Sequence, residues 1–225
     1  MVNHYKMPLP ASYFFLYNII MKNLPSTLPV FPLSGVIYFP KTNLPLNIFE
    51  QRYLNLVNDA YNGDKLMGMV QSKKESGSVY QVGCLGKISD YQKSKDGRIL
   101  INLTGISRFK ILEEISNDKL YREFKVDYKD FNEDNIETNN LIDTKPLMDN
   151  AKNFFKRNGL LLNWKEFEKL DQSQKINTLA MIAPITNEEK QKLLESISLK
   201  NKVETLESII SFYLHETNFN NQTVQ

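Results

Sequence analysis

The chain has little of the side chains that usually carry catalysis or hold metals. Its 225 residues include one cysteine, Cys84, and two histidines near opposite ends, His4 and His215. A single cysteine excludes an intramolecular disulfide or a cysteine-built metal site, and scarce histidine removes the commonest metal ligand and general base. Cys84 lies in a strand pattern, where we expect a small buried hydrophobe. We expect no cofactor, no metal site and a reduced, cytoplasmic environment.

Neither positive nor negative charge is in clear excess. The formal net charge is +2, and only five of the 28 basic residues are arginine. These arginines are scattered along the chain, whereas phosphate recognition usually concentrates the forked guanidinium group. Nucleic acid and an anionic membrane are therefore not expected partners.

Long hydrophobic runs are absent as well. The segment MVNHYKMPLPASYFFLYNIIMK at the start has an apolar stretch, but Asn18 interrupts it and no A-x-A-like cleavage site follows. The stretch is too short to span a bilayer. We interpret residues 1–27 as an accessory arm or the product of an upstream start site, with Met21 just before the organised region.

The organised region begins with a proline-rich apolar stretch, LPVFPLSGVIYFP, which runs from Leu28 to Pro40. Its apolar runs Val30–Leu33 and Val36–Phe39 predict two short strands with Ser34-Gly35 as the turn between them. Proline cannot donate to a strand ladder, so we expect it at edges or bulges. The prolines therefore predict strands whose edges are incompletely paired.

Four more strand patterns follow a predicted helix. The helix spans Phe49–Asn62, with Asn47 as N-cap, Gly63 as stop, and Phe49 and Tyr53 on the buried face. Glycines inside the strand patterns suggest the bends that close a small barrel, and Asp96-Gly97 predicts a hairpin turn. The strand patterns are Leu66–Gln71, Val79–Asp90, Ile99–Leu112 and Tyr121–Tyr128, and the glycines are Gly83, Gly86 and Gly105.

The second part of the chain is helical in pattern. Residues 28–128 are expected to form the β-rich domain, 129–140 a polar linker with the solvated charges Glu133, Asp134 and Glu137, 141–216 a helical bundle, and 217–225 a polar tail. A helix is expected to start or kink beside Pro146, and another to stop at Ala183-Pro184. Three capping boxes are predicted at Asn163-x-x-Glu166, Asp171-x-x-Gln174 and Thr186-x-x-Glu189.

Four ordered blocks carry a family resemblance. The stretches LPVFPLSGVIYFP, LPLNIFEQRY, YQVGCLGKI and LINLTGISRFKILEE occur in the order seen in the N-terminal domain of Lon proteases, and NWKEFEKLDQSQKINTLAMIAPITNEEKQKLLE resembles that family's helical continuation. The resemblance covers about Leu28 to Leu214. It implies an α+β fold, in which an N-terminal β-rich PUA-like pseudo-barrel with one helix is followed by a C-terminal α-helical bundle.

The resemblance implies a substrate-binding region without its enzyme. The Lon ATPase and Ser–Lys protease domains would follow this region, and the chain resembles stand-alone proteins made of the region alone. Gly83-Cys84-Leu85-Gly86-Lys87-Ile88 is not a phosphate loop, because only two residues separate its glycines and Ile88 follows the lysine. We expect no enzyme activity.

The candidate contact residues combine the rim of the proline-rich stretch with an arginine and two methionines. Arg52 could hold a client carboxylate or carbonyl, although a structural pairing with a loop carboxylate is favoured. Arg108-Phe109 is interpreted as structural, with the phenylalanine buried and the arginine bonded to carbonyls. Met67 and Met69 suit a promiscuous apolar surface, although core filling is the favoured interpretation. The candidates for peptide binding are Pro32, Tyr38, Phe39, Pro40, Arg52, Met67 and Met69.

These features favour a non-enzymatic module that captures unfolded or exposed polypeptide. In this hypothesis the prolines shape an open strand edge, bordered by at least one exposed large apolar side chain, to which client peptide adds. Its partners would be protein clients and a Lon-type protease or another chaperone, with the chain acting as an adaptor in protein quality control. Two alternatives from other classes are a PUA-like RNA-binding protein and a peptidase-associated subunit.

Overall fold

A computed structural model of the chain describes residues 24–73, 77–135 and 142–220. Most of the expected arm, residues 136–140 of the expected linker and the end of the expected tail lie outside the described residues. The chain divides into two compact units, Met1–Ile136 and Glu137–Gln225.

The first unit is a closed barrel built from a six-stranded mixed sheet. The strand order is β2-β5-β4-β3-β1-β6, and a further pairing of β5 with β6 closes the ring. The long strand β5 makes this closure possible, because its first part pairs with β2 and β4 and its last part, from Lys110 to Ile115, pairs with β6. The pseudo-barrel expected from the resemblance is confirmed. The strands are β1 (Thr27–Leu33), β2 (Asn43–Ile48), β3 (Leu66–Gln71), β4 (Val82–Lys93), β5 (Ile99–Ile115) and β6 (Arg122–Asp127).

Alternating side chains fill the barrel. Along β5, Ile99, Ile101 and Leu103 are buried while Leu100 between them is exposed, as the strand period of two requires. Side chains from β1, β3, β4, β5 and β6 together form one apolar cluster. Its members are Leu28, Val30, Leu66, Val70, Leu85, Ile106, Phe109, Ile111, Phe124 and Val126.

The open edge expected on the proline-rich stretch is present only in part. Strand β1 pairs antiparallel with β6 over Thr27–Val30 and in parallel with β3 over Val30–Leu33, so Val30 is its one residue in both ladders. Pro29 lies in the part of β1 that pairs with β6, and Pro32 in the part that pairs with β3, so each proline has a ladder on one side. This placement tolerates a residue that lacks an N–H, without leaving the strand unpaired.

The prediction of a second strand in that stretch, Val36–Phe39, is wrong. The segment is irregular but buried, and it is held against β5 by hydrogen bonds from Lys41 N to Gly105 O (3.0 Å) and from Gly105 N to Thr42 O (2.9 Å). Gly105 is required here, because a Cβ atom at this position would collide with the carbonyl oxygen of Phe39. Periodicity alone does not distinguish such a buried crossing from a buried strand.

Helix α1 spans Gln51–Asn62 and begins two residues later than predicted. Its buried face carries Tyr53, Leu56, Val57 and Ala60, and Gly63 ends it with hydrogen bonds to Asp59 O and Ala60 O. Asn47 is not the N-cap, since it lies in β2, and Glu50 takes that position without a side-chain hydrogen bond. Phe49 is 67% exposed, so its predicted core position is wrong.

Part of the expected linker folds onto the barrel. Lys129–Asn135 forms 3-10 turns, in which Phe131 is buried. The Asp134 carboxylate is also buried, and it accepts hydrogen bonds from Arg108 N (3.0 Å) and from the Arg108 guanidinium (2.7 Å to Nη2). The expectation of a solvated Asp134 is therefore wrong, because a buried guanidinium on β5 binds it.

The second unit is helical throughout its described residues. Leu147, Ala151, Phe154 and Phe155 are buried on one face of its first helix, as their spacing predicts. In the part of the chain that the structure describes, no helix has both the length and the apolar composition needed to cross a membrane. The helices are α2 (Lys145–Arg157), α3 (Trp164–Phe167), α4 (Gln172–Ile182), α5 (Asn187–Glu195) and α6 (Leu199–Asn220).

The ends of these helices follow local sequence rules. Pro146 lies in the first turn of α2, and Ala183 is the C-cap of α4, as predicted. Asp171 and Thr186 form complete capping boxes with Gln174 and Glu189. The third predicted box is present in part, because the Asn163 side chain accepts the N–H of Glu166. Helix α6 continues to Asn220, so residues 217–220 of the expected tail are helical.

Candidate functional site

Most of the contact residues predicted from the sequence are buried within the first unit. Tyr38, Phe39, Pro40, Met67 and Met69 are buried. The two methionines lie in β3 opposite Gly86 and Cys84 of β4, where they fill the core. The expectation of an exposed large apolar side chain beside Pro32, Tyr38, Phe39 and Pro40 is therefore wrong. In this conformation the buried side chains are not available to a client.

Arg52 and Pro32 are brought together through Tyr53. The Tyr53 hydroxyl donates to Pro32 O (3.3 Å), and the Arg52 guanidinium lies 4.5 Å from the centroid of the Tyr53 ring. Burial raises the pKa of Tyr53, so its hydroxyl stays protonated and remains a donor. The guanidinium also binds the Glu50 carboxylate at 2.9 Å. Arg52 is thus exposed but engaged with a neighbouring carboxylate, as the structural interpretation expected.

The surface has a groove beside the exposed Phe49 instead. The groove lies between the N-terminal half of α1 and the turn of the β4–β5 hairpin, and its volume is about 370 Å³. We call it the hairpin groove. It is lined by Phe49, Gln51, Leu54, Asn58, Lys93, Asp96, Gly97, Arg98 and Ile99.

Three strand ends create the hairpin groove. Ile48 at the end of β2 pairs with Ile99 at the start of β5, and Ile99 pairs with Lys93 at the end of β4. The hairpin turn then projects beyond the sheet, closed by Ser94 N to Arg98 O at 2.8 Å. Its Gly97 has φ +89°, a conformation that glycine adopts without steric cost.

The hairpin wall of the groove is fastened to α1 by aromatic residues. The rings of Tyr61 and Tyr91 stack with centroids 4.2 Å apart. The Tyr91 hydroxyl donates to the side-chain oxygen of Asn58 at 2.9 Å. Because one partner of each pair lies on α1 and the other on β4, these contacts hold the two walls at a fixed separation.

The charges around the groove do not cancel locally. The Arg98 side chain binds Asp96 through Nε at 2.8 Å. Hydrogen bonds from Arg98, mainly from its backbone N–H and secondly from its side chain, hold the pKa of Asp96 below its usual value. Lys93, in contrast, makes no ion pair with any described residue. The groove therefore has one apolar exposed side chain, Phe49, and an uncompensated cation on its opposite wall.

The groove can bind, and its residue types do not form a catalytic or metal-binding set. Among the described residues, no cluster of three or more histidine, cysteine or acidic side chains is placed to hold a metal ion. The polar groups lining the groove are amides, one ion pair and an ammonium group. Such groups recognise main chain and charge, while Phe49 and Leu54 offer apolar contact.

Sequence reasoning missed Phe49 because it placed this residue in the helix. The spacing of Phe49 to Tyr53 and Leu56 matches one helical face, which predicts burial. The alternation Asn47 exposed, Ile48 buried, Phe49 exposed is that of a strand instead. Recognition of a strand ending at Ile48 would have placed Phe49 on the outer face.

The comparisons with known proteins identify one family. A family model described as the ATP-dependent protease La (LON) substrate-binding domain matches residues 27–211. A Lon protease of Syntrophus aciditrophicus is 28% identical over 93% of this chain and 28% of its own length. A Lon protease of Dictyoglomus thermophilum is 24% identical over 86% of this chain and 25% of its own length. The chain therefore spans about a quarter of these curated relatives.

Solved structures share the fold. The N-terminal domain of the Mycobacterium avium complex Lon protease superposes with a TM-score of 0.62 at 16% identity, covering 82% of this chain and 98% of that one. The Lon N-terminal domain protein of Xanthomonas campestris gives a TM-score of 0.57 at 21% identity, covering 83% of this chain and 98% of that one. At these identities the likeness shows a common architecture.

Proposed function

The chain belongs to the ATP-dependent protease La (Lon) substrate-binding domain family, and from this premise we propose that it captures extended segments of unfolded polypeptide in the hairpin groove. The chain binds and does not cut in this proposal, since its resemblance is to the substrate-binding domain and not to the catalytic domains.

The observation that carries the proposal is the exposure of Phe49. This large apolar side chain is 67% exposed beside a groove, in a chain whose other barrel aromatics are mostly buried. Full burial of a phenylalanine side chain is favourable by about 1.5–3 kcal/mol, so docking of a client side chain against Phe49 recovers part of that free energy. An exposed aromatic at a groove is typical of a recognition site.

The amides lining the groove suit a peptide main chain. Gln51 donates to Asn55 through its amide nitrogen (2.8 Å), and the amide oxygen of Asn58 accepts from Tyr91. Within the described contacts, the amide oxygen of Gln51 and the amide nitrogen of Asn58 remain open as one acceptor and one donor. An extended client offers the matching N–H and C=O groups whatever its side chains, which gives broad specificity.

The client's destination follows from the family. Because the curated relatives are Lon proteases, we propose that captured polypeptide is passed to a Lon-type protease or held for another chaperone. This adaptor role needs a second protein, and it is separate from the binding step at the groove.

The binding step is tested by Phe49→Ser with Leu112→Ser as the matched control. Leu112 is 60% exposed in the same unit but does not line the groove. We expect Phe49→Ser to weaken binding to reduced, carboxymethylated lactalbumin, measured by fluorescence anisotropy, while Leu112→Ser leaves the affinity unchanged. Equal affinity of both variants and the wild type would reject the groove as the binding site.

A further inference from the structure

The hairpin groove has charged as well as apolar lining residues, so the charge of a client segment affects how well it binds. Its lining includes three charged side chains, Lys93, Asp96 and Arg98. Asp96 and Arg98 bind each other at 2.8 Å, so most of their charge is compensated within the turn. Lys93 makes no described ion pair, and Lys95 in the same turn makes none either. The net local charge is positive.

The start of α1 borders the same space. The N-terminal end of a helix carries a partial positive charge from its free N–H groups. The N-cap Glu50 makes no side-chain capping hydrogen bond, and its carboxylate is bound by Arg52 instead. Gln51, the first residue of α1, lines the groove. The formal charge that favours a negative group in the groove is therefore that of Lys93.

We infer that the hairpin groove selects client segments in which an apolar residue and a carboxylate lie about three positions apart. This inference rests on the proposed function of the groove. The apolar side chain packs against Phe49 and Leu54, and the carboxylate binds the ammonium group of Lys93.

The spacing follows from the strand register. Phe49 follows Ile48, which pairs with Ile99, and Ile99 pairs with Lys93. The main chains at Ile48 and Lys93 are therefore separated by two strand spacings, or about 10 Å, and Phe49 is the next residue after Ile48. An extended chain advances about 3.3 Å per residue, so about three residues of a client that crosses the strand ends cover this distance.

The test uses labelled decapeptides built from Gly, Ser and Thr, with one Leu and one variable residue three positions away. The variable residue is Glu, Gln or Lys, and each peptide is made in both orders of Leu and the variable residue. Affinities for the full chain are measured by fluorescence anisotropy at low and high salt. An exposed ion pair changes affinity by about two- to fivefold. We expect the Glu peptide to bind about that much more tightly than the Gln peptide, the Lys peptide to bind most weakly, and the differences to shrink at high salt.

Variants separate a local contact from general attraction. Lys93→Glu is expected to reverse the order of the Glu and Lys peptides, while Lys95→Glu, two residues away and outside the groove lining, changes it less. An equal effect of the two variants would overturn the placement of the carboxylate at Lys93. Equal affinities of the Glu and Gln peptides would overturn the inference.

Failure of the inference is distinguishable from failure of the proposed function. If Phe49→Ser weakens all peptides equally while charge has no effect, the groove binds clients without acid preference. If Phe49→Ser changes no affinity, the groove is not the binding site, and both the inference and the proposed function fall.

Discussion

At the scale of single residues, two phenylalanines ten positions apart have opposite environments. Phe39 is 0% exposed, in the irregular segment that lies over Gly105 of β5. Phe49 is 67% exposed, because it continues the alternation of β2 beyond the buried Ile48. The same side chain therefore stabilises the fold at one position and is available for recognition at the other.

Replacing each phenylalanine by alanine should separate these roles. We expect Phe39→Ala to lower the free energy of unfolding by about 3–5 kcal/mol, since truncation removes buried contacts and leaves a cavity. Phe49→Ala should change it by less than about 0.5 kcal/mol, as is usual for an exposed side chain. Urea unfolding followed by circular dichroism measures both. A large loss for Phe49→Ala would show that its exposed ring supports the fold.

The environment of single residues was predictable where the cause is local. Tyr53 was predicted to be buried from helix periodicity, and Cys84 and Phe109 from their residue types in strand patterns, and all three are buried. The burial of Asp134 was not predictable, because its partner Arg108 is 26 residues away in the sequence. A charged residue in a polar stretch gives no local indication of a buried partner.

The ion pair between Glu114 and Arg122 predicts a pH dependence. Hydrogen bonds from the Arg122 side chain, at 2.6 Å to both carboxylate oxygens, hold the pKa of Glu114 below its usual value of 4.5. A carboxyl group with a lowered folded-state pKa contributes stability above its unfolded pKa and loses it as the pH falls through the folded pKa.

Glu114→Gln should therefore be destabilising at pH 7, and this loss should shrink as the pH falls through the lowered folded-state pKa of Glu114. Because the pair is partly exposed, we expect a difference of only about 0.2–1 kcal/mol at pH 7. Unfolding in urea at a series of decreasing pH values from pH 7 measures it, with Glu113→Gln as control for a more exposed neighbouring pair with Lys125. A difference that does not shrink anywhere along this series would exclude the ionic contribution.

At the scale of elements, the 3-10 segment Lys129–Asn135 is attached to the barrel by a buried ion pair. The Arg108 side chain is 1% exposed, and its guanidinium lies 4.4 Å from the centroid of the Phe131 ring as well as on the Asp134 carboxylate. A short segment with few apolar residues has little other burial to hold it. The ion pair and the aromatic contact therefore fix it in place.

Asp134→Ala should release this segment. Removal of one partner leaves the other charge buried, which typically costs about 3–5 kcal/mol. We expect that loss in urea unfolding, together with faster amide hydrogen exchange in Lys129–Asn135. The double variant Arg108→Met with Asp134→Leu should recover much of the stability, because it removes both charges. Equal losses in the single and double variants would show that volume, not charge, determines the effect.

Elements differ in how far the sequence reveals them. The capping boxes at Asp171 and Thr186 were predictable because each involves residues three positions apart. Strand β2 was missed, since Pro45 argues against a strand in its middle. Among the described strands β2 pairs only with β5, so Pro45 lies on an edge strand, where a missing N–H is tolerated.

At the scale of the whole molecule, the barrel depends on pairings that are distant in sequence. Strand β1 pairs in parallel with β3, and β2 and α1 lie between the two in the sequence. Strand β1 also pairs with β6, where the partners Leu28 and Phe124 are more than 90 residues apart in the sequence. No local pattern determines such partners, which is why the proline-rich stretch was interpreted as an open edge. A small barrel was expected from the glycines inside the strand patterns and from the ordered blocks that resemble a known family, but neither gave the pairing partners of β1.

All groove residues belong to the first unit, whereas the second has a core of its own. In that second core the rings of Phe154 on α2 and Tyr213 on α6 lie 5.6 Å apart. A defect in the helical core should therefore leave client binding intact.

Leu206→Ala tests this independence. Leu206 is 0% exposed on α6, and its truncation should destabilise the helical unit by about 2–5 kcal/mol. We expect amide hydrogen exchange to accelerate in α2 and α6 but not in β4 and β5. The affinity for the Leu–Glu peptide should stay within about twofold of the wild type, because all groove residues belong to the first unit. Leu85→Ala, in the barrel core, is the matched variant that should accelerate exchange in the strands. If Leu206→Ala weakens peptide binding as much as Phe49→Ser does, the groove depends on the helical unit, and client binding is a property of both units together.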